Sequence, residues 1–116
     1  MGLGGYQLCD TADSTYMLVT KMMSIGDWNM DTTASKSVAH GLSIGDIRFV
    51  SCLIRNDAGT TLYTAHGHDG GTTPFEIDYI DATNVVLARK NGSIFDATEF
   101  DATSYNRGWV TIQYTK

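Results

Sequence analysis

Apolar and polar residues alternate along most of this chain, and nowhere do apolar positions hold helical spacing for three turns. FEIDYI (75–80) is the clearest case. A period of two sends Phe75, Ile77 and Tyr79 inward and leaves Glu76 and Asp78 to water. TYMLVTKMMSI (15–25) reads as a long first strand, apolar on both faces over part of its length, and DWNM follows and ends it at Asp31. SKSVAH (35–40) is a second strand, and GLSIGDI (41–47) is a connector with room for one helical turn. RFVSCLIRN (48–56) is a third, with Val50, Cys52 and Ile54 on one face and Phe49, Ser51 and Leu53 on the other. A strand apolar on both faces belongs inside a sheet or against a partner subunit.

Turn chemistry separates these runs. NDAG (56–59) closes a hairpin onto TTLYTA (60–65), because a final glycine suits the turn. DATN (81–84) leads into VVLAR (85–89), and KNG (90–92) predicts a second hairpin that returns through SIF (93–95). DATEFDATSYNRG (96–108) is a longer polar connector before the last strand, WVTIQY (109–114). The single proline, Pro74, stands just before a strand, where it breaks no ladder. Seven or eight short strands at even spacing predict an all-β fold, a compact antiparallel β-sandwich.

Composition agrees: 15 threonines outnumber 9 alanines and 7 leucines. At 116 residues the chain holds one domain, expected as a flexible N-terminal segment (1–14) and a single sandwich (15–116). The net charge of −5 comes from eleven Asp and two Glu, while four Lys and four Arg are scattered. That excludes a nucleic-acid binder, whose affinity needs clustered basic residues. No apolar run approaches the roughly 18 residues that cross a bilayer, so no membrane partner is expected. The N-terminus lacks a basic stretch followed by an apolar one, so no secretory signal is expected. Cys9 and Cys52 are too few for a disulfide framework, and Cys52, inside an apolar run, is expected as a buried thiol.

Candidate chemistry gathers in TAHGHDGGTTP (64–74), which sets His66 and His68 two residues apart and Asp69 beside them. On extended backbone two such imidazoles share a face, but one chain supplies too few ligands for a closed metal site. A metal is expected at His66 and His68 only if a three-fold axis passes through them and supplies six nitrogens. Otherwise the segment is a solvent-exposed, glycine-loosened loop placed for recognition. His40 is expected to be a structural imidazole bonded to backbone. No G-x-S-x-G elbow and no calcium-loop spacing occurs, and Cys52 has no evident histidine partner. The expectation is therefore a binding or structural protein, not an enzyme, with no cofactor. Tyr105, Asn106 and Arg107, in the polar connector, complete a candidate ligand-binding set with His66, His68 and Asp69.

One resemblance narrows this picture. IGDWNMDTTASKSVAHGL, IRFVSCLIRNDAGTTLY, IDATNVVLAR and FDATEFDATSYNRGWVTIQY follow in order. The series resembles a domain of structural proteins of tailed bacteriophages and prophages, often those of Bacteroidetes hosts, over about residues 22–115. WNMD and NRGWVTIQY are its most specific segments. The strand order and the closing R-G-aromatic-x-x-I-x-Y strand are also similar to the H-type lectin sandwich, a trimeric fold that binds sugars at subunit junctions. None of that lectin's sugar-binding positions carries over. The resemblance implies a virion protein of tail, fibre or head surface. It would be a homotrimer that contacts other virion proteins and a host-surface glycan or protein, assembled in the host cytoplasm and then extracellular. The alternative it leaves is a lectin-type carbohydrate-binding module with no virion role.

Overall fold

In a computed structural model, residues 17–65, 67–68 and 73–116 are described. The expected N-terminal segment, Cys9, His66 and Asp69 lie outside the described residues. Among the described residues seven strands occur in chain order: β1 (Leu18–Ser24), β2 (Ser35–Ala39), β3 (Ile47–Arg55), β4 (Leu62–Ala65), β5 (Phe75–Ile80), β6 (Asn84–Arg89) and β7 (Gly108–Thr115). They form two antiparallel sheets, one in the order β1-β7-β3-β4 and one in the order β2-β6-β5. The all-β antiparallel sandwich expected from the alternation is what the chain forms.

The two sheets bury their facing sides. Val50, Cys52, Ile54, Val110 and Ile112 come from the larger sheet, and Val38, Phe75, Ile77, Val85 and Leu87 from the smaller. Each large aliphatic side chain among them contributes roughly 1.5–3 kcal/mol on burial. Trp28 and Met30, from the DWNM segment, join the same core with Phe95 and Phe100. The Trp28 indole N–H donates to the Thr33 carbonyl at 2.9 Å, so its one polar atom is satisfied.

The local turns follow their side chains. Asn56 Oδ1 accepts from the Thr60 and Thr61 amides, and Gly59 takes φ +70°, which closes the β3–β4 hairpin as expected. Asp81 Oδ1 accepts from the amides of Asn84 and Thr83 and so turns β5 into β6. Those two bonds, Asn84 first, hold its carboxyl below the usual aspartate range. The one expected helical turn is a 3-10 turn at Ile44–Asp46.

Two expectations are corrected. KNG does not close a hairpin, and 93–95 is not a strand. Instead Ser93 N–H bonds the Lys90 carbonyl and Asp96 N–H bonds the Ser93 carbonyl, two turns in succession. This path drops Phe95 into an aromatic cluster, 5.1 Å from Tyr63, 5.6 Å from Phe75 and 5.0 Å from Phe100 between ring centroids. Edge-to-face contacts of this kind add to the burial of the ring. The second correction lies in β5. A register shift between Ile77 and Tyr79 breaks the period of two, so Ile80 packs against the core and Tyr79 is 53 % exposed. Glu76, expected in water, is only 6 % exposed.

Candidate functional site

The polar connector expected to carry recognition is devoted mainly to the fold. Arg107 is fully buried, and its guanidinium donates to the carbonyls of Trp28 (3.0 Å), Arg55 (2.9 Å) and Phe100 (3.1 Å). Asn106 Oδ1 accepts from the Gly26 amide at 2.9 Å. The Tyr105 hydroxyl donates to the Asn56 carbonyl at 2.6 Å, and the Tyr105 ring lies 4.4 Å beneath the Arg55 guanidinium. Of the three candidate residues, Tyr105 and Asn106 keep partial exposure, and Thr103 and Ser104 beside them are exposed.

His40 is the structural imidazole expected. Its Nδ1 accepts from the Leu42 amide at 3.0 Å, which places the ring proton on Nε2, 2.9 Å from the Asp81 carbonyl. Both nitrogens are committed to backbone, so the ring has no free atom for proton transfer. Cys52 is a buried free thiol, pushed up to about 12 chiefly by burial. Alkylation at pH 8 is therefore expected to leave Cys52 unlabelled in the folded chain and to label it fully in denaturant. Peptide mass spectrometry separates it from Cys9; rapid labelling of Cys52 in the folded state would contradict its burial.

The histidine loop meets partners that the sequence reading missed. His68, reaching over the outer face of the smaller sheet, places Nδ1 3.0 Å from Glu76 Oε2 and 3.6 Å from Asp78 Oδ1. One ligand atom from each of the three lies within 4.8 Å of the others. Glu76 and Asp78 stand two apart on β5, and that spacing was the available signal: on a strand such residues share a face. Alternation alone points both to water, which hides their pairing with His68. The cluster lines a cleft of about 340 Å³ with Thr73, Ala88, Arg89 and Lys90.

A second cleft, about 600 Å³, lies between the edge strands β4 and β5 and is floored by Tyr63, Phe75 and Phe95, with Thr64, Thr73 and His68 on its walls. The third feature is a surface. On β1, Leu18, Thr20, Met22 and Ser24 face away from the core, and they pair with Thr115, Gln113, Thr111 and Trp109 of β7. Phe49 and Leu53 of β3 continue those rows beside Gln113 and Trp109, and Leu62 of β4 pairs with Arg55. The outer face of the larger sheet thus presents Leu18, Met22, Phe49 and Leu62, each about half exposed or more, with Met22 at 67 %. No family model matches this chain, and no curated protein and no solved structure matches it.

Proposed function

We propose that this domain is a non-catalytic structural module that assembles as a homotrimer through the outer face of its larger sheet, as a tail, fibre or head-surface component of a tailed bacteriophage. The observation that carries the assembly reading is the exposure of four large apolar side chains on that face, Leu18, Met22, Phe49 and Leu62, set among polar partners on the neighbouring strands. Antiparallel sheets with one solvated face ordinarily place polar residues there, and a large apolar patch marks an interaction surface. Closed symmetric homo-oligomers are the common way to cover such a patch. The virion assignment rests on the resemblance of the WNMD and NRGWVTIQY segments to phage structural domains. It predicts capsid, portal and tail genes beside this one. The lectin alternative draws on a different feature, the aromatic-floored cleft between β4 and β5.

Sedimentation velocity at micromolar concentration separates these readings. The expected result is a trimer that Met22→Glu or Leu62→Glu converts to a folded monomer, since a charge in an apolar interface is costly to bury. A parent chain that sediments as a monomer overturns the assembly reading. A monomer that also captures a monosaccharide on a glycan array establishes the lectin alternative.

A further inference from the structure

We propose that His68, Glu76 and Asp78 form a binding site for one divalent transition-metal ion of the zinc class within a single chain. The donor set is one imidazole nitrogen and two carboxylates. Imidazole suits Zn, Cu, Fe or Ni, whereas an all-oxygen set suits Mg, Ca or Mn, and three protein donors leave open positions for water or a ligand. The spacing fits. Two ligands about 2.1 Å from a tetrahedral ion stand about 3.4 Å apart, and on an octahedral ion about 3.0 Å. Nδ1 of His68 is 3.0 Å from Glu76 Oε2 and 3.6 Å from Asp78 Oδ1.

The fold brings these donors together without strain. Glu76 stands before the register shift in β5 and Asp78 lies at it, and both line one cleft with the small Ala88, opposite Glu76 on β6. The side chain of Glu76 is 7 % exposed, whereas that of His68 is 59 % exposed. A dication held by these three donors would join His68 to two residues of β5.

Two of the donors belong to the smaller sheet, whereas the face proposed for assembly belongs to the larger; Phe49 of that face shares a cleft with His68 and Asp78, so ion binding is measured on the parent chain and on the Met22→Glu variant alike. The test uses the full chain freed of metal by chelation and titrated with Co²⁺, whose visible absorption reports coordination, and with Zn²⁺ by calorimetry. One ion per chain is expected. His68→Ala alters an exposed side chain and Asp78→Asn a partly exposed one of the same shape, and both are expected to keep the parent's circular dichroism. Each should weaken binding at least about tenfold, since loss of an outer-shell partner alone costs about 10–100-fold. The proposal is overturned if neither ion binds up to millimolar concentration, or if either variant binds with the parent's affinity.

Discussion

Gly108→Ala is expected to cost about 3 kcal/mol or more, enough to unfold a marginal domain of this size. Gly108 opens β7 opposite Ile54 of β3. A Cβ there would overlap the backbone carbonyl of Leu53 and stand 3.1 Å from the Ile54 Cα. These are backbone atoms of the neighbouring strand, so no rotamer change relieves the clash. Separation of β3 from β7 would relieve it, at the expense of the larger sheet's central ladder. The carbonyl of Gly108 also receives the Ile25 amide at 2.9 Å, so displacement of the strand disturbs the chain beyond β1 as well. Urea denaturation measures the loss as a lower midpoint. Gly45→Ala is the control: nothing lies within 4 Å of the Cβ it would add, and a change within about 0.5 kcal/mol is expected. Equal effects from the two substitutions would refute the close approach as the cause.

Arg107→Met is expected to destabilise by about 3–5 kcal/mol, the usual consequence of breaking a buried ionic network from one side. The guanidinium ties the Trp28 turn, the end of β3 and the Phe100 turn to the start of β7 through three carbonyls. Its Nη2 also meets Asp57 Oδ1 at 2.9 Å, an ion pair poorly aligned as a hydrogen bond, and Oδ1 has no other partner. Asp57 Oδ2 in turn accepts from the amides of Asp101 and Ala102. Methionine retains the volume and leaves those carbonyls and that carboxylate without their donor. Lysine is expected to rescue little, because one ammonium cannot reproduce a planar fork aimed in three directions. Chemical denaturation of the Arg107→Met, Asp57→Asn and double variants closes a thermodynamic cycle. A double variant no worse than Arg107→Met alone is expected; strict additivity would show that the ion pair contributes nothing to the network.

How much of this was legible beforehand follows from the range of each determinant. Strand faces were, where pairing stays regular: Val50, Cys52 and Ile54 are buried as the period of two requires. The reading failed where the register shifts. Nothing in FEIDYI announces that β6 will meet it with a shift between Ile77 and Tyr79, because a bulge is a property of two strands together. Asn-Gly, a strong local turn signal, points Phe95 into a returning strand, whereas the aromatic pocket that captures it draws on Tyr63 and Phe75, distant in sequence, as well as on Phe100. Of the candidate site, His68 was visible and its carboxylate partners were not, since both had been given to solvent. Arg107 was misplaced because the polarity of its neighbours describes the connector, while its burial depends on carbonyls from β3 and two turns.

The sheet order also governs how the chain can be made. β7, the last strand in sequence, lies between β1 and β3. Until it emerges from the ribosome, the larger sheet consists of the β3–β4 hairpin and an unattached β1. A nascent chain stalled before Gly108 exposes the long flank of β3 as an unpaired ladder, the kind of edge that recruits other chains. The β2-β6-β5 sheet needs nothing from β7 and can pair while synthesis continues. Closure must then wait for a contact between β1 and β7 across most of the described sequence, which places this domain among slow, high-contact-order folders.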